Sequence, residues 1–492
     1  MKKSILFVTL LCLSFLGYSQ CPNASITLAS QTEVDNFPIT YNGCTQISGN
    51  LSISGSDITD LSPLSSLTFV EQDLSIGGTS LTNLSDLVNL TEIGGLVISN
   101  NPQLTHLSGL ENIETMCYEM GDNNIIILNN ANLVSIAALA NVSNFCLVSL
   151  SISNNPSLLT LEGLHNIDPF QYVTISDNDA LVDLQGLEGV VHLEDDLIIQ
   201  NNNALTSLEG LQNLASVIHF TTISNNNSLL AIDFPNTLGV SDLTIENNPS
   251  LTNVSGFTPT SDPLVIIRNN PLLTSSGIAP FGYGLYRFEI TNNDSLTDLS
   301  FMAGLDTIEG FVISDNDGLA SFNGLEATAF YIGIDVIIDN NSQLVDISAM
   351  GLTDLTDIAM LRIRDNTLLS LCSVASICAY LTEGGASEIE NNNEGCTTTE
   401  EIMSACLLDY GEPNLIGDVS IYPNPVSEFL QIHISEEITY HKTTLFSVTG
   451  KLLLSTSEKE LDVSILSEGI YFVQITTDQG ILTRKIVKSS AH

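Results

Sequence analysis

The chain contains no tryptophan, and from residue 21 to residue 411 it contains no lysine. Over that stretch Arg268, Arg287, Arg362 and Arg364 are the only cationic side chains besides histidine. Phosphate backbones and anionic lipid headgroups are held by clustered Lys and Arg, so this poverty excludes nucleic acid and acidic membrane surfaces as partners. Beyond residue 20 no apolar run is long enough to cross a bilayer, so no transmembrane segment is expected after processing. There is no glycine-rich phosphate loop. The histidines His106, His165, His192 and His219 stand at different offsets within the repeat described below, so they form no converging metal or general-base cluster. No cofactor is expected.

What the chain does have is acid: 57 Asp and Glu against 12 Lys and Arg, a formal charge of −45. That balance suits solubility in a salty exterior, or a partner that is cationic or bridged by divalent ions. At 43% hydrophobic the chain is nevertheless no disordered polyanion, because its apolar residues are periodic. Residues 1–20 read as an export signal. Lys2 and Lys3 form the positive end, Ile5 to Leu16 the apolar stretch, and cleavage is expected between Gln20 and Cys21. Tyr18-Ser19-Gln20 lacks the small residues that lipid attachment at Cys21 requires.

An Asn-Asn or Asp-Asn step recurs thirteen times in one hydrophobic frame, of which Leu96-Val97-Ile98-Ser99-Asn100-Asn101 is an example. Counting from the Leu96 position, coils start at 51, 74, 96, 125, 150, 173, 197, 221, 243, 265, 288, 311, 336, 361 and 387. A period of 22 to 29 residues means a solenoid with one strand per coil. Leu96 and Ile98 alternate inward along a short strand, and the Asn step ends it. Leu104, Leu107 and Leu110 then fill the interior, with Gly109 at a tight corner. Stacked Asn101-type side chains are expected to form a ladder along the axis. The fold class is all-β: a parallel β-solenoid of about 15 coils, roughly 70 Å long at roughly 4.8 Å per coil, followed by a small Ig-like β-sandwich.

Eight cysteines remain after position 20, an even number that predicts disulfides in an exported chain. Cys117 and Cys146 each lie 21 residues after a coil start, in consecutive coils, so stacking brings them within bonding distance. Cys21 and Cys44 bracket the N-terminal end and close a cap. Cys372, Cys378, Cys396 and Cys406 cluster at the far end, where three pairings are open.

The frame Ile-x-x-Leu-x-Ile-x-x-Asn-x-x-Leu-x-x-Leu resembles leucine-rich repeats and, more closely, the receptor L domain. The opening Glu33 to Phe37 and Gly43 to Ile53, and the returns Leu61 to Leu67 and Gly109 to Ile113, carry this resemblance over roughly residues 21–408. It implies a right-handed β-solenoid used for recognition, and it carries over no ligand. The outward strand positions are therefore the candidate ligand face. They run as a small hydroxyl stripe in the first half and carry charge in the second, at Glu246, Arg268, Glu289, Asp339, Arg362 and Arg364. Glu246 and Arg268, like Asp339 and Arg364, occupy adjacent rungs, so cross-strand ion pairs are the first explanation for this charge. The oxygen-rich turns Ser176 to Asp179 and Ser314 to Asp317 match no calcium loop and read as Asp in place of Asn.

Near residue 410 the rhythm stops. Residues 409–417 read as a linker, and residues 418–492 as short alternating strands separated by turns. Here Tyr422-Pro423-Asn424-Pro425, Gly450-Lys451, Gly469-Ile470-Tyr471 and Lys485-Ile486-Val487-Lys488 resemble the type A C-terminal sorting domain of the type IX secretion system. The resemblance implies the secretion machinery as partner and passage to the outer surface or the medium. The expectation is an exported, non-catalytic recognition or adhesion protein with an extracellular glycan or protein ligand. An acidic coat bridged by divalent cations is the alternative, and a polysaccharide-active enzyme comes last.

Overall fold

The computed structural model describes residues 21, 24–117, 123–146, 149–169, 171–260, 263–278, 285–300, 307–325, 331–409, 419–424, 426–434, 438–447, 451–477 and 480–489. Residues 1–20, with the expected cleavage residue Gln20, lie outside them. The chain divides into two compact units, residues 1–397 and 398–492.

In the first unit, alternation of apolar and polar residues puts one side chain of every strand pair into the interior. Leu51, Leu74, Leu96, Ile125, Leu150, Val173 and Leu197 form one row, each the direct partner of the next in a parallel sheet. Thr221, Leu243, Val265, Phe288, Phe311, Val336, Leu361 and Ser387 continue it. All fifteen predicted coil starts fall in this row. Strand Ile26–Leu28 adds a rung ahead of them. Leu96, Ile98, Leu104, Leu107 and Leu110 are fully buried, and each contributes about 1.5–3 kcal/mol to the core. A second parallel ladder, absent from the sequence reading, runs through the other side of the early coils at 46–47, 69–70, 92–93, 115–116 and 144–145.

The Asn step divides its work between its two residues. The first, from Asn100 to Asn391, adopts φ between 55° and 59° at every repeat, the left-handed region that Asn and Asp tolerate best. The second is buried. Asn101 N donates to Asn130 Oδ1 at 3.1 Å, and Asn101 Nδ2 donates back to Ile76 O at 2.9 Å. The same pattern repeats through Asn130, Asn155, Asn178 and on to Asn366. Each amide thereby satisfies backbone that the turn withdraws from the strand ladder. A further Asn ladder lines the return segment. Asn89, Asn112, Asn141, Asn166, Asn213 and Asn236 each donate to a carbonyl of the preceding coil. Gly189 interrupts it, at a position where a Cβ would lie 2.6 Å from Ile167 O.

Both ends of the stack are covered and bridged. Ser30 caps helix Gln31–Asp35, Val34 and Phe37 are buried, and Cys21 bonds Cys44. At the far end, helix Ala375–Thr382 buries Ile377, Tyr380 and Leu381, and Cys372 bonds Cys396. Cys378 and Cys406 are disulfide-bonded as well. Cys117 bonds Cys146, with a Cα–Cα distance of 4.7 Å.

The second unit begins earlier than the end of the Asn rhythm suggests, because helix Thr399–Asp409 adds no rung to the stack. Apart from Asp409, the linker expected over 409–417 lies outside the described residues. Strands Val419–Tyr422, Phe429–Ile434 and Glu460–Asp462 form an antiparallel three-stranded sheet. Strands Leu452–Thr456, Tyr440–Ser447, Gly469–Thr477 and Gly480–Lys488 form a four-stranded one, in that spatial order. The short strand Glu460–Asp462 was not foreseen. Val426, Leu430, Leu445, Leu461, Val473 and Ile475 lie in a common core, as in a small β-sandwich.

Candidate recognition surface

Successive strand side chains point to opposite faces, so Leu or Ile at the first and third positions commits the second and fourth to the outside. On the early rungs this face presents Ser52, Ser54, Ser75, Val97, Ser99, Ser151 and Ser153. Two members of the hydroxyl stripe are not accessible. Ser176 and Ser224 are buried, and Ser176 Oγ donates to Ser153 Oγ at 2.9 Å.

The later rungs gather every solenoid arginine into two ion-pair groups. Register sets Glu246 opposite Arg268, and Arg268 Nε lies 2.5 Å from Glu246 Oε2. Glu289 stands 4.0 Å from Arg268 Nη1 and 3.5 Å from Arg287 Nε. Arg287 also reaches Asp335, 3.5 Å away and two rungs on. It crosses the intervening rung because that rung holds Gly310, where a Cβ would sit 3.0 Å from Asp335 Oδ1 and 3.1 Å from Arg287 Nη1. Arg287 thus joins this face from the position just before the coil start, and the shared coil position of Arg287, Gly310 and Asp335 is its signal in the sequence.

In the second group Asp339, 13% exposed, accepts from Arg362 at 2.6 Å and from Arg364 at 3.3 Å. Glu388 and Glu390 lie 3.8 Å from Arg364. The hydrogen bond that Arg364 donates to Asp339, the charge of Asp339, and these two carboxylates raise the Arg364 pKa further. The structure thus brings together Glu246, Arg268 and Glu289, and separately Asp339, Arg362 and Arg364. The arginines are held in place by carboxylates, and each partly exposed pair contributes about 0.2–1 kcal/mol.

The histidines remain apart. His106 and Glu111 line a cleft of about 260 Å³, and His165, Glu162 and Glu188 line another of about 380 Å³. Both clefts include Ala137, whose small side chain leaves room on either side. His192 bonds Ser216, and His219 Nδ1 lies 2.8 Å from Asp195 Oδ1. Among the described residues no three His, Cys, Asp or Glu side chains gather as a metal site. The first Asn side chains of successive steps also bond one another, Asn129 to Asn100 and Asn292 to Asn269 among them, and in the oxygen-rich turns Asp177 accepts from Asn201 at 3.0 Å and Asp315 from Asn340 at 2.6 Å in the same way.

In the second unit the sorting residues converge on the last strand. Asn424 Nδ2 donates to Lys485 O at 3.2 Å. Val426 N donates to Val487 O at 2.8 Å, and Tyr471 Oη to Ser467 O at 2.8 Å. Gly469 opens its strand at φ 151°. Tyr422, Lys451 and Lys485 are exposed, whereas Lys488 is buried and donates to Ser489 O. Pro423 joins Tyr422 through a cis peptide bond. Pro425 and Gly450 lie outside the described residues.

Among the described residues no helix is long and apolar enough to cross a membrane. No curated protein matches the chain. Residues 43–136 match the family model of the Receptor L domain, a shorter span than the 21–408 over which the coil motif repeats. Residues 420–489 match the secretion system C-terminal sorting domain. The protein is thus a β-solenoid with a Receptor L domain segment, joined to a type IX sorting domain that directs its export to the cell surface or beyond.

Proposed function

We propose that the solenoid is a non-catalytic recognition or adhesion module for an extracellular glycan or protein. The observation that carries this reading is the continuous strand face, fifteen rungs in unbroken parallel register. Disulfides at both ends and the buried Asn ladder make that face rigid, so a ligand would bind with little ordering of the protein. Rows of Ser, Thr and β-branched side chains suit an extended peptide or glycan lying across the rungs. Ion pairs already occupy the solenoid arginines, so a catalytic alternative would have to work through a histidine beside a carboxylate, such as His219 with Asp195 or His165 with Glu162 and Glu188.

The test is a glycan and peptide array probed with the exported protein, with and without calcium. Saturable binding to one class, independent of calcium, supports recognition. Calcium-driven self-association without ligand binding moves the reading to an acidic coat. Product release from a polysaccharide, lost when one carboxylate is neutralised, makes it an enzyme.

A further inference from the structure

The whole chain carries 57 carboxylates, yet the strands Tyr440–Ser447, Leu452–Thr456, Gly469–Thr477 and Gly480–Lys488 contain none. They carry Lys442, Arg484, Lys485 and Lys488 instead. One face of their sheet supplies Leu445, Val473, Ile475, Leu482 and Ile486 to the core. On the other, Phe446 pairs with Leu452 on one side and Phe472 on the other, and Phe472 pairs with Lys485. Direct partners share a face, so this row points outward. Leu452 is 56% exposed, Ile470 46% and Phe472 37%. Lys442, four residues before Phe446 on the same strand, shares that side and is exposed, as is Lys485. Neither lysine forms an ion pair with a described residue.

We propose that this outer face is the docking surface by which the secretion machinery holds the protein, through an apolar surface rimmed with carboxylates. The proposal rests on the second unit acting as a sorting domain. The family match at 420–489 spans all four strands, which ties the face to sorting. Charge selects the partner's chemistry. An acidic partner is repelled by the net charge of −45 that the chain carries as a whole, and these four strands offer it apolar area beside lysines and no carboxylate. An exposed apolar patch with a charged rim is also what a protein interface needs at its centre and edge.

The test uses the full chain in a bacterium that has a type IX system. Leu452→Glu, Ile470→Glu and Lys485→Glu each place a carboxylate on the face. Ile465→Glu, at a position 90% exposed and outside the four strands, is the control. The first three are expected to lower surface and medium protein about tenfold or more, as loss of an interface anchor does, with the chain accumulating in the periplasm. The control exports at the parental level. Equal protease resistance of the retained Lys485→Glu protein separates lost docking from misfolding. If deletion of 418–492 stops export while all three variants export normally, the face is wrong and the sorting domain stands. If that deletion leaves export unchanged, the sorting reading itself fails. If the three variants export normally but the parental chain alone sediments with anionic vesicles, the face belongs to a membrane and the proposal is overturned.

Discussion

Asn424 and Val487 are 63 residues apart, yet the Asn424 carbonyl oxygen accepts a hydrogen bond from Val487 N at 2.8 Å. The same amide donates to Lys485 O, so one side chain brackets two peptide groups of the terminal strand. Two sequence blocks at opposite ends of the sorting domain are therefore one structural unit. Asn424→Ala should cost about 0.5–1.5 kcal/mol and speed exchange of the Val487 amide. Asn424→Asp keeps the acceptor and should protect that amide better than Ala does. Equal exchange in parent and both variants would remove the bracket from the account.

The buried Asn ladder predicts a larger effect. Asn248 Nδ2 donates to Ile223 O at 3.0 Å, and Asn248 Oδ1 accepts from Asn226 N at 3.0 Å. Asn248→Ala strands both backbone groups, at about 1–3 kcal/mol each. Asn248→Asp should be no better, since a carboxylate cannot donate to the carbonyl and places a charge where none is compensated. Urea unfolding of the exported protein reads both. At the half-buried end of the ladder, Asn392→Ala should cost less.

Two glycines with positive φ separate conformational strain from crowding. Gly210 has φ 116°, and a Cβ there falls 1.9 Å from Leu184 O. Gly384 has φ 85° with nothing within 4 Å of a Cβ. Gly384→Ala should lose about 1–2 kcal/mol from the left-handed backbone alone. Gly210→Ala must also displace the preceding coil, and its melting temperature should fall further or the protein should not accumulate. Similar melting temperatures for the two variants would show that the coils can move apart cheaply.

The arginine groups allow the proposed face to be located. Arg268→Ala and Arg364→Ala each remove partly exposed pairs and should shift stability by about 1 kcal/mol or less. If the ligand lies across the later rungs, both should weaken its binding while the melting curve stays near that of the parent. Unchanged affinity in both places the ligand on the earlier, hydroxyl-bearing rungs. Asp339→Ala should destabilise more than either, because Arg362 and Arg364 then face each other without their shared carboxylate.

Periodicity made the stack legible. The Leu96-type row, the inward Ile98, the step-ending Asn100 and the laddered Asn101 follow from a strand period of two inside a coil period of 22 to 29 residues. The same arithmetic put Cys117 over Cys146, where the structure joins them. The second parallel ladder was not legible, since its strands at 46–47 and 115–116 are two residues long and leave no alternation to read. Nor was the return-segment Asn ladder, whose members share an offset but lie among other polar residues.

The sequence by itself therefore determined the register, the buried face and the sorting blocks, because each is a repeat or an ordered motif along the chain. Only the tertiary structure decided which polar groups are already engaged. Ser176 is buried against Ser153, Arg287 reaches Asp335 across Gly310, and Asn424 closes on Val487. These contacts depend on the distance between neighbouring coils and strands and on the volume of the residue between them. Spacing along the chain fixes which residues become neighbours, but the space left between them sets which side chains meet.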